Sequence, residues 1–258
     1  MKKKKSFLAL AALSFSAMPL FTALGNYKIT SRLHKMLVFA LLLFTSNGYS
    51  CTSCNRELQQ AIKDSFYTNI FIMLSAFIVL TLIVLALIYL ALKKYNSNAN
   101  SDIPLMAAAT VLGIGTGGFA DGIVLHQILQ WHEMLSNKFP PNTVLHKSVN
   151  MFWDGIFHLF TLIVTLVGIY LLWKVLRKIN VNTSGNLLAG GMLAGWGVFN
   201  LVEGIIDHQI LKMHNVREIT SNQDLWNYGF LLFGIVLILA GWLIARQAKS
   251  RLTHLDRQ

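Results

Sequence analysis

Charge is what this chain has least of. Asp, Glu, Lys and Arg make up 13% of its 258 residues, about half the share of an ordinary soluble domain, so a conventional water-facing surface is excluded. Acidic residues are the scarcer kind, 11 against 22 Lys and Arg. A net charge of +11 gathered in one domain would fit a nucleic-acid binder, but here the basic residues stand between apolar blocks, and no DNA or RNA partner is expected. The only two cysteines, Cys51 and Cys54, form C-T-S-C. No histidine follows them, which excludes a c-type haem attachment and leaves a disulfide, a redox dithiol or two soft metal ligands. The glycine runs GIGTGG and GGMLAGWG follow no strand, so neither is a nucleotide loop; small residues there let spanning helices approach closely.

Apolar length is what the chain has in abundance. Hydrophobic residues are 54% of the total, and five blocks are long enough to cross about 30 Å of hydrocarbon at 1.5 Å per residue. They lie near residues 66–92, 104–130, 150–173, 185–212 and 225–245. The fold class is therefore an all-α integral membrane protein. Lys93, Lys94, Lys174, Arg177, Lys178, Arg246, Lys249, Arg251 and Arg257 fall on one side, which the excess of positive charge makes cytoplasmic. Trp131, Trp153 and Trp226 mark the outer interface, and Trp173 and Trp242 the inner one. Residues 1–50 contain two shorter basic-then-apolar runs and read as a signal or anchor region, the second run ending just before Cys51. Residues 51–100 then hold the C-T-S-C pair and the first span, 101–247 the four remaining spans, and 248–258 a cytoplasmic tail. The expected location is the bacterial cytoplasmic membrane, with the lipid bilayer as first partner.

One phrase is written twice. GIGTGGFADGIVLHQILQWH from Gly113 and GWGVFNLVEGIIDHQILKMH from Gly195, 82 residues apart, share Gly113, Gly115, Gly122, Ile123, His126, Gln127, Ile128, Leu129 and His132, and pair Asp121 with Glu203. Both copies run outward, so the last four spans read as a parallel, duplicated two-helix unit. The second helices match more faintly, with Asn227 in the place of Asp154 and Leu231 in that of His158.

Acids and histidines inside spans cost on the order of 3 kcal/mol each on insertion scales, so they need a polar interior, a partner or an ion. Counting rise from the outer helix ends puts Asp121, His158 and Glu203 in one layer about 12 Å down, and His126, Asp154, Asp207 and His208 about 6 Å down. His132 and His214 fall at the rim by that count, as entry or supporting groups. Carboxylate and imidazole at matched depth on neighbouring helices is how bundles ligate iron, copper or zinc, and haem stays open as well. Helical phase supports Asp154 with His158 and Glu203 with Asp207, each pair within about 40°, but sets Asp121 and His126 about 140° apart.

From about Pro104 to Gln247 the chain resembles the bacterial family of predicted membrane proteins called domain of unknown function 2243, through GFADGIVLHQILQWHEML, FWDGIFH and FNLVEGIIDHQILKMHNVRE. The N-terminal part lies outside that resemblance and reads as an added module. The resemblance implies the neighbourhood of respiratory oxidase assembly factors. Three function classes follow: a metal-binding protein of respiratory assembly, metal handling or redox, with an extracytoplasmic site; a zinc-dependent membrane hydrolase using Asp121 or Glu203 as base; and a proton or ion pathway or structural assembly factor. Within the five spans the Ser-x-x-x-His element of ceramidase-type hydrolases is absent.

Overall fold

The computed structural model describes residues 55–95, 101–178 and 181–255. Residues 1–50, expected to be a signal or anchor region, and both cysteines lie outside the described residues. Five helices build the described part: α1 (Arg56–Tyr95), α2 (Ile103–Ala120), α3 (Val144–Leu176), α4 (Gly185–Glu203) and α5 (Gln223–Leu255). All five contain stretches long and apolar enough to cross a membrane. α1 begins earlier than expected, at Arg56, and α5 runs on to Leu255, beyond the expected end of the last span.

Local chemistry fixes where several of these helices start. Thr143 and Ser184 are extended N-cap residues whose hydroxyls accept from His146 N and Asn186 N, and Pro104 sits in the first turn of α2, where no N–H partner is lost. α2 and α4 form the inner pair, and glycine sets how close they come. A Cβ on Gly113 would lie 2.1 Å from the Met192 carbonyl oxygen, and one on Gly195 would lie 2.1 Å from that of Thr110. Only residues without side chains permit such backbone contact.

Around this pair α3 packs on α2, α5 packs on α4, and α1 fills the angle against α2 and α3. Phe77 of α1 stacks on Phe157 and Phe160, while Trp153 donates its indole N–H to Ser65 Oγ at 3.0 Å. α5 exposes Leu232, Leu239 and Leu243 at more than half of their surface, as a lipid-facing helix would.

Both inner helices change pitch at the same point of the repeated phrase. Asp121–Ile128 and Gly204–Ile210 are π-helical, with i→i+5 bonding, and just beyond the end of each stands a residue with positive φ: Gln130 at 48° and Lys212 at 49°. Caps of the Schellman kind, one residue wider, close both ends. Trp131 N donates to Leu125 O at 2.9 Å, and Met213 N to Asp207 O at 2.8 Å. The chain then turns back into the bundle instead of leaving it.

Candidate metal centre

That turn carries His132 and His214 inward. Each is anchored on the other's loop: His132 Nδ1 lies 2.8 Å from Val216 O, and His214 Nδ1 lies 3.0 Å from Met134 O. Their rings stack at 4.6 Å with an interplanar angle of 5°. Both are buried, at 2% and 0% exposure, not hydrated at a rim. The count of rise per residue fails here because it assumes a straight axis, and the left-handed residues Gln130 and Lys212 end that axis before the histidines are reached.

His126 completes a set of three. Its Nδ1 lies 2.9 Å from Asp154 Oδ1, and its Nε2 lies 3.1 Å from Asp121 Oδ2 without the alignment of a hydrogen bond. The i→i+5 winding explains how Asp121 and His126 meet, since residues five apart share a face of a π-helix although ordinary helical phase separates them. Glu203 Oε1 stands 3.7 Å from His214 Nε2. One ligand atom from each of His126, His132, Glu203 and His214 lies within 4.8 Å of the other three, and all four residues are buried.

The hydrogen bonding of these side chains has one pattern. In all three histidines Nδ1 is engaged, while Nε2 has no hydrogen-bond partner among the described residues; the same holds for Glu203 Oε2 and both oxygens of Asp121. Imidazoles turned by Nδ1 partners so that Nε2 groups converge are how proteins present histidine to a metal. Donors on one ion would stand about 3–3.5 Å apart, so small side-chain movements suffice to close the set. Outside the spans, burial and the neighbouring imidazoles hold His132 well below the usual histidine range, and burial holds His214 down to about 4. Both are neutral near pH 7, the form that ligates a metal.

The remaining expected site residues take other places. Asp154 is buried and fully engaged, accepting from His126, from Met134 N at 3.0 Å and from Gln127 Nε2 at 3.2 Å, so it orients His126. His208 is a fourth buried ring, 4.7 Å from His214 and 6.0 Å from His132, with neither nitrogen hydrogen-bonded among the described residues. Asp207 is buried with Oδ1 likewise unpartnered. His158 stands apart from the four: it is half-buried, its Nδ1 bonds the Asp154 carbonyl oxygen at 2.6 Å, and its ring lies 6.2 Å from that of Phe119.

Two groups escape a reading of the sequence. Glu133 is buried beside Lys147, with which it forms an ion pair, and burial raises its carboxyl above the usual range. Asn200 is 1% exposed, with neither side-chain atom hydrogen-bonded among the described residues. The repeat carries the signal for it: Asn200 stands opposite Gly118, a polar side chain in only one of the two copies.

Five spanning helices around a buried cluster of histidines and carboxylates define a multi-pass membrane protein with a centre that could hold a metal ion. The chain belongs to the predicted membrane protein family DUF2243, whose profile matches residues 108–248. That stretch contains all of the cluster and leaves α1 outside. No curated protein and no solved structure matches the chain.

Proposed function

We propose that this protein is a membrane-embedded metal-binding protein, with His126, His132, His214 and Glu203 as ligands to iron, copper or zinc, and with Asp121 and His208 in reach as further donors. The observation that carries the reading is the set of three buried imidazoles, each with a ligand atom within 4.8 Å of the others and of Glu203, whose Nε2 atoms have no hydrogen-bond partner among the described residues. Such groups are unfavourable in an apolar interior unless something binds them. Nitrogen and carboxylate donors without sulfur fit iron and zinc, and copper in its divalent state. The setting we propose is the bacterial cytoplasmic membrane, the centre near the extracytoplasmic side, and the role one in respiratory oxidase assembly, metal handling or redox.

A second reading, a zinc-dependent hydrolase, is favoured by Asp121, whose carboxylate, 3.1 Å from His126 Nε2, borders both the centre and an adjoining cavity, where a general base would stand. Purified protein in detergent, analysed for elements and by absorption spectroscopy, tests the proposal. About one metal ion per chain is expected, without a Soret band. Metal far below stoichiometry after purification without chelator, and no uptake on reconstitution, would refute it.

A further inference from the structure

Beside the centre lies a cavity of about 670 Å³, between α5 and the outer part of α2 with its π-helical end. Its walls are aromatic, formed chiefly by Trp131, Trp196, Trp226 and Phe230. Two polar residues interrupt them: Asp121 and Asn200, 5% and 1% exposed. Neither Asn200 Oδ1 nor Nδ2, nor either Asp121 oxygen, has a hydrogen-bond partner among the described residues. A buried amide with both ends unpaired in an aromatic chamber calls for a ligand that donates and accepts.

The fold supplies an independent argument. Trp153 and Trp226 occupy matching places, each one residue before Asp154 or Asn227. α1 covers the first: Trp153 is 1% exposed, bonded to Ser65 and packed on Phe66 at 4.7 Å. No described helix covers the second, and Trp226 meets Trp131 edge-on at 5.0 Å to form the cavity wall. At the mouth, Val124, Leu225 and Gly229 are exposed on elements long and apolar enough to span a membrane, so the opening is apolar and favours a lipid-soluble ligand.

We infer that this cavity binds a lipid-soluble aromatic alcohol of the quinol class, its ring held among the tryptophans and its hydroxyl paired with Asn200. A ring hydroxyl donates and accepts at once, satisfying both ends of the amide. The Asp121 carboxylate, an acceptor only, asks for a donor as well. Indole and phenyl walls favour a flat ring at stacking distance, and the volume is that of a small-molecule site. An acyl chain would fill the space and leave Asn200 unpaired. The inference concerns the cavity and does not depend on a metal in the neighbouring centre.

The test uses full-length protein in lipid nanodiscs and a tritiated benzoquinol bearing a ten-carbon chain, followed by scintillation proximity. Saturable binding near one per chain is expected, with the dimethyl ether of the same quinol competing at least tenfold more weakly and phosphatidylglycerol not competing. Asn200→Leu should weaken binding at least tenfold. Gly229→Phe should do the same, since a Cβ there meets nothing within 4 Å and the ring can enter the cavity without backbone conflict. Both variants should keep the parent's metal content and melting temperature, which separates loss of the pocket from loss of fold. Absence of saturable binding, equal competition by the ether, or binding untouched by both substitutions would overturn the inference. Competition by phosphatidylglycerol would overturn it in favour of an acyl-lipid site.

Discussion

At the scale of single residues, position within the centre separates ligands from supports. His126, His132 and His214, the proposed ligands, each bring a ligand atom within 4.8 Å of the others, so replacing any one with Ala should abolish stoichiometric metal. Asp154 acts through His126 Nδ1, and loss of such an orienting group costs about 10–100-fold in metal affinity. Asp154→Asn should show that intermediate loss. His158→Ala should keep the metal, because its ring is turned to its own helix and to Phe119. Metal analysis of the five variants at matched yield checks the ranking; metal lost from His158→Ala and kept by His132→Ala would contradict it. Residue types at the centre are legible in the sequence, since acids and histidines in apolar spans are costly wherever they occur. Their roles are not: His132 and His214 read as rim groups and His158 as a deep one, because whether a side chain is anchored through Nδ1 has no trace in spacing.

Whole elements are legible where hydrophobic length decides. Five apolar blocks become five helices, and the glycines that read as packing residues do bring α2 and α4 together. The change to π-helical winding is not legible, because i→i+5 bonding in DGIVLHQI and GIIDHQI leaves no mark in composition. It moves Asp121 and His126 onto one face against ordinary helical phase. The matched positions of both π-segments, both left-handed residues and the reciprocal His132 and His214 anchors support the duplication proposed from the repeated phrase. Gly195→Ala should destabilise by about 3 kcal/mol or more, as its Cβ would strike the Thr110 carbonyl, whereas Gly155→Ala meets nothing within 4 Å and should be neutral or slightly stabilising. Gln130→Gly and Lys212→Gly should each stabilise by about 1 kcal/mol, relieving a left-handed conformation costly to residues with a Cβ. Thermal unfolding in detergent measures both, and a stable Gly195→Ala protein would show that the inner pair is looser than described.

For the molecule as a whole, the sidedness of the basic residues predicts which face carries the centre. Cysteine introduced at Asn142, exposed between α2 and α3, should react with an impermeant thiol reagent in intact cells when Cys51 and Cys54 are replaced by Ser, and cysteine at Arg177 only after lysis. The reverse pattern would invert the orientation and put the centre on the cytoplasmic side. X-ray absorption at the edge of the bound element tests the metal and its proposed ligands most directly. A first shell of nitrogen and oxygen only, at about 2.0–2.2 Å, is expected, with outer-shell scattering from imidazole that is lost with the metal in His132→Ala. A first shell dominated by sulfur, or a nitrogen and oxygen shell without imidazole scattering, would place the metal elsewhere and contradict the assignment of His126, His132, His214 and Glu203 as its ligands.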